Sequence, residues 1–332
     1  MSTSPSVSFV CCVESGPLEL QTLRLVESLR RWGGAFAQAP LFAVTPRNGP
    51  ALAGATMKAF ERLQVTYLRC APESNYSWFN FYNKPMAMAL AEEAATTDTV
   101  GWLDSDMIVV GEPTDLQLRE GEDFVACASD KEMGSSGPDD PYDPLWRAAC
   151  RVLGLDAEAL PWLVTEQEKI RIRLYWNGGL FVYRKATRFG ARYLETTTKL
   201  MDARNRTSAP GFSIGFNEMC SIGLSMHLMG LKWRALPYSH NYSVGSKTHA
   251  QWYREEQLRA ARIVHYHDSM WPWFWDTFVQ ILRATHPPVA DWLAPQGPMR
   301  NDASILNRVW GKMLRSSRDK KNRAYVASCR TV

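Results

Sequence analysis

The stretch VGWLDSDMIVVGEP, residues 100–113, decides how this chain is read. Its apolar lead ends at Leu103, a second apolar run begins at Met107, and Asp104 and Asp106 stand between them. Two carboxylates beside a core strand lose hydration and repel each other, so the pair asks for a positive partner. At a strand end, where the chain turns, both can converge on one cation. Hard oxygen ligands select Mg²⁺ or Mn²⁺, and Mn²⁺ also accepts an imidazole.

Upstream of that stretch, strand and helix signals alternate. VSFVCCV (7–13) is a continuous apolar run, the pattern of a strand buried on both faces. Leu20, Leu23, Val26 and Leu29 follow at helical spacing within 19–32, and Gly33-Gly34 stops that helix. Strands are expected at 41–45, 65–69 and 99–103. Helices are expected at 57–63 and at 84–95, the latter with Pro85 in its first turn. This βαβαβαβ order predicts an α/β fold with a parallel sheet covered by helices. Ligands bind such sheets beyond the carboxyl ends of the strands, so topology alone places a site at Asp104 and Asp106.

The second half is more mixed. A strand is expected at 123–129. Residues 130–169, rich in Gly, Pro, Asp and Glu, suit an active-site loop or insertion with a short helix near 145–153. An apolar run at 174–184 is broken by Asn177-Gly178-Gly179. Helices at 189–201 and 216–230 precede a strand at 262–268 that carries His265 and His267. The tail at 312–323 is basic and reads as a solvated end, with contact to a membrane surface as the alternative.

Composition sets bounds on partners. The 332 residues are 45% hydrophobic and 22% charged, ordinary for a globular chain. A net charge of +4 falls short of a nucleic-acid signature, so no nucleic-acid partner is expected. No apolar run reaches the ~18–20 residues of a membrane span, and the first residues lack the basic and apolar regions of a signal peptide. The seven cysteines are odd in number and form no CxxC pair. They read as reduced, buried thiols in a cytoplasmic protein. Thirteen tryptophans include the cluster MWPWFWD (270–276), which is either core or a stacking platform for sugar faces.

Four segments together carry a family resemblance. WLDSDMIVVGEP resembles the DxD segment of GT-A-fold glycosyltransferases. NKPMAMALAEEA resembles the basic residue and helix that precede it, and YWNGGLFVYRKATRF the Asn-Gly acceptor-side strand. IVHYHDSMWPW resembles the late His segment of the retaining glycogenin-like and lipopolysaccharide galactosyltransferase-like families. The similarity runs over residues 7–283 in the same motif order.

The resemblance implies a single GT-A (Rossmann-like) domain over 1–290 with a mostly parallel mixed central sheet. Residues 1–110 would be its nucleotide-binding half and 111–290 its acceptor-binding half. A small helical, basic C-terminal extension would occupy 291–332. The implied activity is metal-dependent transfer of a sugar from a nucleoside-diphosphate sugar, UDP favoured, to a hydroxyl acceptor, with retention. The acceptor would be a glycan, a lipid-linked molecule or a small molecule.

By the same resemblance Asp106 and His265 would bind Mn²⁺ (or Mg²⁺), and Asp104 the metal, the ribose or both. Val13, Glu14, Lys84 and Ser105 would contact the nucleotide-sugar. Asn177 would sit beside the donor sugar, with Glu218 as base or donor-sugar contact. His267 and Trp271 would face the acceptor. The chain departs from the family where HDSMWPW lacks the lysine of the usual phosphate-binding triplet; His267, Ser269 or a distant basic residue would take its part. Two other readings stay open. A phosphohydrolase would use WLDSDMIVV as an apolar-DxD nucleophile loop, although that motif belongs on a first strand. A non-catalytic sugar-binding module would keep the aromatics without turnover.

Overall fold

The computed structural model describes residues 6–70, 74–209 and 211–332; the first five residues of the segment read for a signal peptide lie outside them. The order opens with β1 (Val7–Cys12), α1 (Pro17–Trp32), β2 (Leu41–Thr45), α2 (Gly54–Arg62), β3 (Val65–Arg69), α3 (Asn83–Ala94) and β4 (Thr99–Leu103). After the Asp104–Asp106 turn come β5 (Met107–Val109), β6 (Phe124–Ala126), α4 (Asp143–Leu153), β7 (Trp162–Val164), β8 (Arg171–Arg173) and β9 (Leu180–Arg184). Next are α5 (Phe189–Ala203), β10 (Asn205–Arg206), α6 (Phe216–Leu228), β11 (Trp233–Ala235), β12 (Tyr242–Ser243), α7 (His249–Trp252), α8 (Glu255–Arg259) and β13 (Ile263–His265). The chain closes with α9 (Trp275–Thr285), α10 (Pro287–Leu293), α11 (Ile305–Ser328) and β14 (Arg330–Thr331).

The main sheet has seven strands in the order β11-β6-β9-β4-β1-β2-β3. Only β9 is antiparallel to its neighbours, β4 and β6; every other pairing is parallel. The fold is therefore mixed α/β with a mostly parallel central sheet and a helical C-terminus, as expected. Because side chains alternate along a strand, β1 serves two cores. Phe9 and Cys11 join Leu25, Val26 and Leu29 of α1 on one face. Val10 and Cys12 join Ala87, Met88 and Ala91 of α3 on the other. Helices α5 and α6 thicken that second layer through Tyr193, Leu200 and Ile222.

Local chemistry explains several boundaries. Pro17 begins α1, and the Gly16 backbone N–H donates to Glu19 Oε1 at 3.0 Å, which closes its first turn. Gly154 takes a left-handed conformation and ends α4. Residues 130–169, expected as a loop with one short helix, hold α4 and also the β7–β8 hairpin. The basic tail at 312–323 is mostly exposed, as read, and belongs to the 24-residue α11, which is anchored just beyond it by the buried Tyr325, whose hydroxyl donates to Met201 O at 2.5 Å. Beyond it, β14 pairs with β10. Among the described residues no helix is long and apolar enough to cross a membrane.

Candidate active site

Strand β4 is buried through Leu103, and its carboxyl end opens on a groove. The chain leaves the sheet there because β9 runs the other way. The Asp104 N–H donates to Gly179 O at 2.8 Å, just ahead of β9, so Asn177, Gly178 and Gly179 reach the same rim as the two aspartates. A small three-stranded sheet, β12-β13-β5, adds the third contribution. In it His265 lies opposite Met107, and the Tyr266 N–H donates to Asp106 O at 3.0 Å. His265 Nε2 therefore stands 3.2 Å from Asp106 Oδ1, although 159 positions separate the two residues (106 and 265).

The aspartates part ways at this point. Asp104 Oδ1 accepts from Trp102 Nε1 at 2.6 Å and lies 3.4 Å from Lys84 Nζ. Asp106, His265 and His267 form a separate cluster whose ligand atoms lie within 4.8 Å of one another. Sequence reasoning put Asp106 and His265 on one cation and Asp104 on the cation, the ribose or both; in the structure His267 joins the first two, and Asp104 lies beside Lys84. His267 holds a left-handed backbone (φ 47°), which folds its ring back against His265 with centroids 3.8 Å apart. Supporting groups orient both rings. His265 Nδ1 is 3.1 Å from Asn241 Oδ1, and His267 Nε2 is 2.8 Å from Ser243 Oγ. One carboxylate and two imidazoles, each with an outer partner, fit a Mn²⁺-type ion.

Charge balance inside the groove is uneven. Burial pushes the Asp106 carboxyl up, but His265 and His267 outweigh it and hold it down at about 2. Burial alone lowers His265, yet Asp106 and Asp104 bring its net shift upward. Burial and the neighbouring His265 drive His267 down to about 3, so it is neutral near pH 7. Asp104, Asp106, Asp130, Glu132 and Glu218 all line one cavity of about 270 Å³, facing Lys84 as its one lysine.

Lys84 sits at the start of α3, where the helix dipole disfavours a cation. It is held by Gly178 O at 2.6 Å, Asp104 at 3.4 Å and Glu218 at 3.6 Å. Burial lowers its pKa, and those two carboxylates more than restore it. Glu218 is fully buried on α6; its Oε1 accepts from Tyr193 and its Oε2 has no partner. Burial, only partly offset by Lys84 and Tyr193, pushes its carboxyl up.

Asn177 lines the groove, but its amide is committed. Nδ2 donates to Asp130 Oδ1 at 2.9 Å, and Oδ1 accepts from the Ser129 and Asp130 N–H groups at 2.5 and 3.2 Å. The two glycines after it are dictated by space. A Cβ on Gly178 would lie 2.8 Å from Lys84 Nζ, and one on Gly179 would lie 2.9 Å from the His265 ring.

Toward the start of the chain, Val13 is buried and exchanges hydrogen bonds with β2 and Thr45. Glu14 is gripped by Arg47 at 2.5 and 3.0 Å, and Ser105 Oγ donates to Cys12 O at 2.5 Å. Trp271 stands outside the groove wall, stacked on the exposed Trp273 with centroids 5.6 Å apart. Sequence reasoning missed Asn241, Asp130, Glu132 and Tyr193. Asp130 and Glu132 fall in the stretch read as an active-site loop without being singled out; Asn241 and Tyr193 have no local signal, and Tyr193 acts through Glu218. Glu132, bonded to Tyr175 at 3.2 Å, is the notable one: desolvation and Asp130 push its carboxyl up to about 7.

The comparisons follow from this geometry. Among solved structures, similar ones include the WbbM bifunctional glycosyltransferase in its apo form, at 11% identity over 88% of this chain and 52% of that one, with a TM-score of 0.49. The glycosyltransferase GlyE of Streptococcus pneumoniae TIGR4 is 16% identical over 90% of this chain and 66% of its own, with a TM-score of 0.47. The galactosyltransferase LgtC, in complex with donor and acceptor sugar analogs, is 10% identical over 84% and 96%, with a TM-score of 0.46. The chain thus spans about half the length of WbbM and just under two thirds of GlyE. No curated protein sequence matches it. The model of one family matches residues 9–229, well over half of the chain, and so the chain belongs to the Rhodobacterales glycosyltransferase domain family.

Proposed function

We propose that the protein transfers a sugar from a nucleoside-diphosphate sugar, with UDP as the nucleotide, to a hydroxyl acceptor, with retention and with Mn²⁺ (or Mg²⁺) bound by Asp106, His265 and His267. The observation that carries this reading is the charge imbalance: five carboxylates line a cavity with a single lysine, and one of them sits within 4.8 Å of two histidine nitrogens. When bound, the ion supplies positive charge for the leaving diphosphate. Lys84 adds a fixed cation beside it, already oriented by Gly178 O and Asp104. Asp104 and Ser105 serve the ribose side, with Val13 and Glu14 beyond them.

Positive charge develops at the anomeric carbon during transfer, as in glycoside hydrolysis, and the buried Glu218 carboxylate faces it. In the retaining step the acceptor oxygen bonds to that carbon on the leaving-group face. The carbon–oxygen bond to the diphosphate breaks, and the acceptor proton passes to the departing phosphate oxygen. Asn177 acts as a positioning residue by fixing Ser129 and Asp130 at the groove wall. His267 stands on the acceptor side as well, and the stacked Trp271–Trp273 pair offers the acceptor an aromatic face.

Two further parts of the reading concern setting. Seven free thiols, six of them buried, suit a reducing, cytoplasmic compartment. On α11, Ile305, Leu306, Val309, Trp310 and Met313 are exposed beside Arg308 and Lys312, a combination that suits peripheral contact with an anionic lipid surface. The central test is release of nucleoside diphosphate from a panel of nucleotide-sugars with and without Mn²⁺. Asp106→Ala should lower metal-dependent turnover at least ~100-fold. Full turnover in the presence of a chelator, or hydrolysis of simple phosphomonoesters in place of nucleotide-sugars, would overturn the reading.

A further inference from the structure

Three cavities lie in series along the rim of the main sheet. The first holds the proposed metal cluster, Asn177 and Glu218. A second, of about 420 Å³, shares Lys84, Asp104 and Asp106 with it and extends to Glu14, Arg47 and Asn80. Those last three residues also line a third cavity, of about 410 Å³. Its far wall belongs to α11, through Asn307, Gly311, Arg315 and Asn322.

The basic C-terminal helix is therefore laid across the groove's outer end, and several bonds hold it there. Asn307 Nδ2 reaches Ala51 O at 3.4 Å and Ser15 Oγ at 3.5 Å, and Arg318 donates to Asn48 O at 2.5 Å. At its end the Tyr325 ring packs edge-on against Tyr76 at 6.1 Å.

We propose that α11 is the outer wall of the donor site, and that the third cavity receives the nucleobase of the nucleoside diphosphate. This rests on the function proposed above. A nucleotide-sugar is a linear sequence of sugar, diphosphate, ribose and base. With the sugar at Glu218 and the diphosphate at Lys84 and Asp106, the base must extend the opposite way, past Glu14 and Arg47. The lining there matches a flat ring with a polar edge. Trp78 and Phe79 offer apolar faces, and Asn80 and Asn322 offer amides. The Asn322 Oδ1 atom is buried without a hydrogen-bond partner, a cost that a donor N–H or O–H on the ligand relieves. At the junction the Glu14 carboxylate is paired with Arg47 and keeps lone pairs that accept from hydroxyls, which suits the ribose.

Gly311 supplies the probe. A Cβ there meets no atom within 4 Å, so Gly311→Phe fills cavity space without a backbone clash, and replacing a helical glycine does not weaken α11. Calorimetric titrations with Mn²⁺ compare UDP and GDP with inorganic diphosphate, on the full chain. Gly311→Phe should weaken the nucleoside diphosphate that binds wild type best by about tenfold or more, and leave inorganic diphosphate unchanged. Asn322→Ala, which adds no bulk, should weaken the same nucleotide by about three- to tenfold. Thermal midpoints near wild type for both variants establish that the fold is intact. If both variants bind the nucleotide as tightly as wild type, α11 is not part of the site and the inference fails while the function stands. If wild type itself binds no nucleoside diphosphate, the proposed function falls and takes this inference with it.

Discussion

Two buried charge clusters, one under α4 and one in the groove, use the same residue types to opposite ends. Under α4, Asp143 Oδ1 accepts from Ser135 Oγ at 2.7 Å and Arg173 Nε at 2.9 Å, and Oδ2 accepts from Arg147 at 2.5 Å. Arg173 is fully buried and also donates to Ala157 O at 2.5 Å. Each carboxylate oxygen has a partner, and the Ser135, Arg147 and Arg173 bonds outweigh burial to hold the Asp143 carboxyl below its usual range. In the groove, carboxylates outnumber the lysine and Glu218 Oε2 has no partner. The first cluster is internally paired; the second leaves a carboxylate oxygen unpaired, which the proposed function fills with a ligand. Uncompensated buried charge lowers stability, and on the proposed function the groove tolerates that loss to gain affinity for its ligands.

The contrast can be broken at either end. The largest effect is expected from Asp143→Ala, which leaves the buried Arg173 with only the longer contact to the exposed Glu158. It should cost ~3–5 kcal/mol in a urea unfolding experiment, while the folded fraction keeps wild-type Mn²⁺ affinity. A cost under about 1 kcal/mol would mean the α4 cluster is not the structural one.

Asn241→Ala should do the reverse. It removes the partner of His265 Nδ1 and should lower Mn²⁺ affinity by about 10–100-fold in a metal titration, with little change in the metal-free thermal midpoint. Unchanged affinity would remove His265 from the metal cluster.

The smallest effect sharpens the comparison by pH. Folded Glu132 keeps its proton up to about 7, whereas the unfolded chain loses it near 4.5. Between those values the folded state binds the extra proton, so stability falls as pH rises through that window and stays lower above it. Glu132→Gln should therefore raise the thermal midpoint at pH 8 and leave it unchanged at pH 4. An equal shift at both values would show that charge is not the reason.

Much of this was legible in the sequence because it rests on local periodicity. The strands at 41–45, 65–69 and 99–103 and the helix over 84–95 lie within a residue or so of β2, β3, β4 and α3. The Asp104–Asp106 turn falls at the strand end that the βαβ order indicates. His265 could be singled out because it closes a short apolar strand, and it does stand at Asp106.

What could not be read depends on contacts distant along the chain. Asn241 and Glu132 sit in irregular segments with no period, and reach the groove only after the smaller sheet and the loop before α4 have packed. Asp104 and Asp106 face different partners because Trp102 and Lys84 claim the first, a competition that spacing does not encode. The basic tail is exposed as its charges indicate, but its anchoring had no local signal. It comes from Tyr325 and a short strand pairing made 125 residues away (205 to 330).

The single reversed strand, β9, has a consequence for how the molecule responds to its ligands. By turning one segment around, the sheet brings Asn177 to the rim where Lys84, Asp106, Glu218 and His265 arrive from four other stretches. No fragment of the chain contains enough of these groups to capture a nucleotide or an ion on its own. On the proposed function, affinity for either is thus a property of the native state alone, and by linkage a ligand at 100 times its Kd adds roughly 2.7 kcal/mol to global unfolding. Protection against amide exchange on ligation should accordingly spread to the slowest-exchanging core strands, far from any atom the ligand touches.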